Sequence, residues 1–233
     1  MLILALDSTA VVASVALCRD TTPIASFTVK NGNTHSETLL PMVEAVLKTA
    51  GYTVDDVDLF ACSVGPGSFT GVRIGAATVK GLAFGKGKPC AEVSALEALA
   101  QNLVPHQGLL CPVMNARRGQ LYNALFRFEN GKLYRLCEDR AISALDLCKE
   151  LSATGAPVYL SGDGVAEFKR LCPAFTSERV SEYLIDQNAV SVAKCAYNTY
   201  TAGRVCTDGA LKPVYLRLPQ AERERLERQN EKK

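Results

Sequence analysis

Ser63-Val64-Gly65-Pro66-Gly67-Ser68-Phe69-Thr70-Gly71-Val72-Arg73-Ile74-Gly75 decides how the rest of this chain is read. An apolar run, 57–64, ends in it. Two glycines and a proline turn the chain, and an apolar run of helical period, 70–84, begins. A strand that turns through glycine into a helix is the basic step of an α/β protein. The N–H groups exposed at such a helix start favour anions. No Gly-Lys-Ser/Thr follows, so the loop is not a Walker A loop, and it lacks the regular dinucleotide fingerprint. Gly71, Gly75 and Gly81 lie in or near the ends of the helix. Interior glycine costs about 1 kcal/mol relative to alanine. Gly71 and Gly75, one turn apart, flatten a face for close approach, either by another part of this chain or by a partner helix. The spacing leaves both open.

Working outward, strands are expected at 2–6, 13–18 and 24–29, and a helix at 37–50 with apolar residues at helical spacing and Gly51 as its cap. A strand at 89–93 and a serine-capped helix at 94–103 complete a first series. After Pro105–Gly108 a second series follows. Its strands are expected at 109–114, 120–127, 132–137 and 158–161, with Asn130-Gly131 as a hairpin turn. Its helices are expected near 144–151, 165–171 and 187–203. Strands alternating with helices imply parallel pairing and crossovers. The expected architecture is two α/β lobes, 1–104 and 105–220, the late helix near 187–203 packing back on the first lobe. Residues 221–233 read as a charged tail.

Composition narrows the function little. The chain has 233 residues, a net charge of +2 and nine cysteines without a Cys-x-x-Cys pair. The charge is too weak to mark a nucleic-acid binder by itself. The cysteines read as small buried hydrophobes of a reducing compartment. The N-terminus lacks a basic leader and is interrupted by Asp7, and no run is long enough to span a bilayer, so a cytoplasmic location is expected.

Four further segments carry polar chemistry. Asp7, Ser8 and Thr9 close the first strand, where α/β sheets place ligands. They suit a Mg²⁺-bound phosphate and equally suit an ordinary turn. Thr34-His35-Ser36-Glu37 fits a capping box. As a metal site it lacks a second ligand, because the i+4 position after His35 is Leu39. Asn115-Ala116-Arg117-Arg118 offers two arginines for a phosphate or carboxylate, but Asn115 stands where a phosphotransferase would want an acid, and an amide is no general base. Ser161-Gly162-Asp163-Gly164 could line a nucleotide or simply turn the chain.

The segments LALDST (4–9), HSETLLP (35–41), SVGPGSFTGVRIG (63–75), NARRGQLY (115–122) and KPVYLR (212–217) together resemble the TsaB (YeaZ) family of bacterial tRNA threonylcarbamoyladenosine biosynthesis proteins. The resemblance implies an actin-like (ASKHA) fold of two lobes with mixed sheets. It implies a non-catalytic scaffold for threonylcarbamoylation of adenosine 37 in tRNAs reading codons that begin with A. Its partners would be the catalytic paralog TsaD and the ATPase TsaE, with tRNA reached through the complex and a homodimer formed when the chain is alone. The partner surface would lie on the first two helices, at His35, Glu37, Leu40, Val43, Leu47, Gly71, Arg73, Ile74, Gly75, Thr78 and Leu82. No catalytic or metal residue is implied. Asp7, Ser8, Thr9, Gly65, Gly67, Ser68 and Gly162 remain as nucleotide or phosphate candidates, with ATP or ADP and Mg²⁺ at the partner boundary as the cofactor left open. Two alternatives stand beside this reading. One is an actin-like ATPase or small-molecule kinase resting on Asp7, the glycine loops and Asp163. The other, opposed by the missing second histidine, is a metallopeptidase.

Overall fold

A computed structural model describes residues 1–217; the charged tail expected at 221–233 lies outside them. The first sheet holds β1 (Leu2–Asp7), β2 (Ala13–Arg19), β3 (Thr22–Val29), β4 (Leu59–Gly65) and β5 (Cys90–Ser94) in the order β3-β2-β1-β4-β5. The β1, β2 and β3 strands are antiparallel neighbours, while β1–β4 and β4–β5 are parallel. The parallel pairs are joined by α1 (His35–Ala50) and α2 (Phe69–Ala83). Parallel neighbours need such crossovers.

Both faces of this sheet are covered. Leu4, Leu6, Val15, Leu17, Phe60 and Cys62 form one core with Leu39, Val43 and Val46 of α1 and Ala76 and Val79 of α2. Ile3, Ala5, Ala16, Leu59, Ala61 and Ala91 face the other way. They pack on Ala189, Val192, Ala193 and Ala196 of α6 (Ala189–Thr201), from the far end of the chain. Burial on both sides explains why β1 and β4 are apolar without alternation.

The second sheet is built on β6 (Leu109–Asn115). It pairs in parallel with β11 (Val158–Ser161) and antiparallel with β7 (Gln120–Asn123) and β8 (Phe126–Glu129). Two outer strands, β9 (Lys132–Arg135) and β10 (Arg140–Ser143), pair with β8 and β7. Helices α3 (Ala95–Asn102), α4 (Ala144–Thr154) and α5 (Val165–Leu171) cover it.

The strand expected at 120–127 is broken at Ala124 and Leu125. Pro112 sits in the middle of β6 and donates no backbone hydrogen bond, so the ladder opposite it fails. Buried Asn123 repairs the gap: its Nδ2 donates to the carbonyls of Pro112 and Ala124, both at 3.0 Å. The strand β10 was not expected from the sequence. The hairpin at Asn130-Gly131 forms between β8 and β9, both residues at positive φ. Gly51, at φ +75°, closes α1 through the Leu47 and Lys48 carbonyls, and the Ser94 hydroxyl accepts from the Glu97 N–H at 3.2 Å. The capping box expected at Thr34–Glu37 does not form. Thr34 Oγ1 pairs instead with Ser36 Oγ at 3.1 Å, and the Glu37 N–H donates to the Thr34 backbone carbonyl.

Candidate functional site

The turn after β1 is where three elements converge. The Asp7 carboxylate is 1% exposed. Its Oδ1 accepts from the Thr9 N–H at 2.8 Å and the Thr9 hydroxyl at 2.7 Å, and its Oδ2 accepts from the Ser63 hydroxyl at 2.5 Å. Burial raises the Asp7 pKa above its ordinary value, against the lowering effect of the Ser63 and Thr9 hydrogen bonds and of the nearby His35 ring.

The glycine loop lies directly on this turn. A methyl group on Gly67 would sit 2.4 Å from the Thr9 carbonyl oxygen, and the Ser68 N–H donates to that oxygen at 2.7 Å. Methyl groups on Gly71 and Gly75 would sit 2.0 Å from the Ser8 carbonyl oxygen and 2.6 Å from the Ser8 hydroxyl. The Ser8 hydroxyl donates to the Gly71 carbonyl at 2.9 Å. The Ser68 hydroxyl accepts from the Gly71 N–H at 3.3 Å and caps α2. At the start of α1, His35 Nε2 lies 2.7 Å from the Ala10 carbonyl oxygen, and its Nδ1 is buried without a hydrogen-bond partner. Leu39, at the i+4 position, is a core residue.

The last described segment seals the same loop from outside. The Val214 N–H donates to the Val64 carbonyl at 2.7 Å, and the Val214 oxygen would lie 2.3 Å from a methyl on Gly65. Phe69, Arg73 and Tyr215 stack there. The Arg73 guanidinium lies 4.0 Å from the Phe69 ring centroid and its Nε donates to the Tyr215 hydroxyl at 2.9 Å. Further on, Arg217 donates to the Ala116 carbonyl at 2.6 Å, joining the strap to the second lobe.

The phosphate candidates fall in two places. Asp7, Ser8, Thr9, Gly65 and Gly67 are brought together as expected, but they are packed against one another. Both Asp7 oxygens accept hydrogen bonds within the turn, and its glycines bring the Ser8, Thr9 and Val214 carbonyl oxygens into close contact. Gly162, at φ +99°, belongs to the second sheet, where a methyl would sit 2.1 Å from the Val113 carbonyl oxygen. Beside it, Asp163 accepts from the Asn115 N–H at 3.1 Å, and burial raises its pKa. Asn115 accepts from the Arg117 N–H at 2.8 Å.

The partner-surface candidates also divide. Val43 and Leu47 are 3% and 7% exposed and belong to the first core. Gly71 and Gly75 face Ser8, so of the two alternatives their spacing leaves open, the face they flatten admits another part of this chain, the β1 turn. Glu37 and Arg73 are exposed, while His35, Ile74, Thr78 and Leu82 are half-buried. Leu40 is 55% exposed. Ala77, Gly81 and Phe84, which the expected partner surface did not include, also lie outward on or just after α2, Phe84 at 79% exposure. Helical spacing carried the signal for the first two, since Ala77, Gly81 and the half-buried Ile74 share one stripe. Among the described residues no three His, Cys, Asp or Glu side chains are placed to hold a metal ion, and no helix is long and apolar enough to cross a membrane.

Comparisons with known proteins accord with this geometry. A family model described as TsaD, tRNA N6-adenosine threonylcarbamoyltransferase, matches residues 30–222. The tRNA threonylcarbamoyladenosine biosynthesis protein TsaB of Bacillus subtilis is 31% identical over 98% of this chain and 100% of its own length. Its Escherichia coli counterpart is 40% identical over 56% of this chain and 58% of its own. The solved structure of YeaZ from Pseudomonas aeruginosa superposes with a TM-score of 0.77 at 26% identity, covering 92% of this chain and 99% of that one. The actin-like α/β fold is shared more distantly with the ethanolamine utilization protein EutJ from Carboxydothermus hydrogenoformans, at a TM-score of 0.52 and 12% identity over 83% of this chain and 90% of that one.

Proposed function

This chain belongs to the TsaB (YeaZ) family of tRNA threonylcarbamoyladenosine biosynthesis proteins, and on that premise we propose that it acts as a non-catalytic scaffold in threonylcarbamoylation of adenosine 37 in tRNAs reading codons that begin with A. It works with a TsaD-type transferase and a TsaE-type ATPase. The observation that carries the scaffold reading is the closed Asp7 turn. A kinase or ATPase of this architecture needs its first-strand carboxylate open to a metal–phosphate, and here that carboxylate is enclosed with both oxygens engaged. ATP or ADP with Mg²⁺ therefore belongs, in this reading, at the boundary with the partner and not in the turn.

The partner surface is the outward side of α1 and α2. Leu40 offers an exposed apolar side chain, Ala77 and Gly81 let a second helix approach closely, and Phe84 projects at the end. A TsaD-type paralog sharing the fold presents the matching helix pair, and a second copy of this chain takes its place when the paralog is absent. The test is reconstitution with TsaD, TsaE, tRNA and the activated carbamoyl donor. Modified adenosine is expected only when this protein is added. Full activity without it would overturn the proposal.

A further inference from the structure

We propose that Cys90 and Cys206 form a latent thiol pair that closes to an intramolecular disulfide when a small-molecule disulfide such as oxidised glutathione is present. The two residues face each other across an isolated antiparallel bridge at the edge of the first sheet. Each donates its N–H to the other's carbonyl, at 2.8 and 2.9 Å. Directly opposed residues put their side chains on one face. In a hydrogen-bonded antiparallel pair the Cα atoms lie about 5.5 Å apart, inside the range a disulfide spans, while the Cβ atoms lie about 1 Å wider than a disulfide holds them, so closure draws Cys206 inward. Both side chains belong to the same core, and the Cys206 sulfur already lies 3.5 Å from the Cys90 carbonyl oxygen. Cys206 lies outside any regular strand, so its backbone has room to adjust.

The order of events follows from exposure. Cys90 is fully buried, while Cys206 is half-buried. The Cys206 thiolate attacks one sulfur of the small disulfide. That S–S bond breaks, one glutathione thiolate leaves, and a mixed disulfide forms on Cys206. The Cys90 thiolate then attacks the Cys206 sulfur and expels the second glutathione thiolate. Two protein thiols have lost two electrons to the reagent, and their two protons go to the two leaving thiolates. Burial raises both thiols, Cys90 to about 12, with Glu92 and Asp208 raising and Lys80 lowering. The exchange is therefore slow at neutral pH and accelerates as pH rises. The product ties the start of the strap that runs to Arg217 onto β5 across a separation of 116 residues.

Peptide mapping of the whole protein decides the matter. The chain is incubated with oxidised glutathione at mildly alkaline pH, its remaining thiols are blocked, and it is digested without reductant. One linked pair of peptides containing Cys90 and Cys206 is expected. The pair should vanish on reduction, persist in Cys148→Ser and be absent from Cys206→Ser. The oxidised wild type should also melt several degrees higher than the reduced form. Glutathione held on Cys206 with no linked pair, or linkage of Cys90 to Cys62 or of Cys148 to Cys172 in its place, would overturn the proposal. The wild-type map gives that answer even if the Cys206→Ser chain fails to fold.

Discussion

Gly71 lies so close to Ser8 that a methyl group on it would be 2.0 Å from the Ser8 carbonyl oxygen. The obstacle is backbone, which cannot swing aside. Gly71→Ala should therefore cost at least ~2 kcal/mol. Gly81, on the same helix, has open space around it and an ordinary helical φ. Gly81→Ala should stabilise by up to about 1 kcal/mol. Urea denaturation of the two variants checks the pair. Equal midpoints would contradict the close approach of α2 to the β1 turn.

Asp7 makes stability depend on pH. In the unfolded chain its carboxyl titrates near 3.8, and in the folded chain burial moves that titration upward. As pH rises from 3.8 through the folded value, the unfolded chain releases its proton first. The Asp7 contribution thus weakens across that window and is constant on either side. Asp7→Asn removes the effect while keeping an oxygen for the two Thr9 donors. The stability of Asp7→Asn relative to wild type should improve as pH rises through that window. A difference independent of pH would show that the carboxyl is not raised.

Asn123 holds the broken strand together. Besides the Pro112 and Ala124 carbonyls it engages Arg140, whose Nη2 donates to Asn123 Oδ1 at 3.1 Å. Asn123→Leu leaves buried carbonyls without donors, so a loss of about 3 kcal/mol is expected in denaturant titration. A neutral result would mean that water reaches the break.

Leu40 tests the partner surface without touching the core. Leu40→Glu should leave the melting temperature within a few degrees of wild type, because the side chain is already exposed. It should weaken association with a TsaD-type partner at least tenfold by placing a charge in an apolar contact. Unchanged affinity by calorimetry would move the surface elsewhere.

Much of the fold was legible because it is local. Apolar runs, helical periods, Gly51 and the Asn130-Gly131 hairpin act over a few residues. The spacing of Gly71 and Gly75 was legible as a flattened face, but periodicity does not say what lies opposite a face, and it proved to be Ser8. The Thr34–Glu37 pattern matched a capping box whose hydrogen bonds do not form, because Thr34 bonds Ser36 instead. Pro112 was visible in the sequence, yet its effect falls on Ala124 and Leu125, twelve and more residues away. The stack of Phe69 and Arg73 on Tyr215 joins residues 142 positions apart for the hydrogen-bonded pair, and no local rule reports it. The phosphate candidates of the first sheet lie around one turn while Gly162 lies in the second sheet, a division that spans about a hundred residues and that no local pattern reports.

The placement of α6 on the first sheet has a consequence for synthesis. Residues 1–104 contain all five strands of that sheet, yet Ile3, Ala5, Ala16 and Leu59 stay uncovered until residues 189–196 have emerged from the ribosome. A nascent chain stopped at residue 104 would display that surface to chaperones or to other nascent chains. The first lobe is therefore a poor choice for expression as an isolated fragment, and a chain cut before residue 189 should be recovered mainly in aggregates.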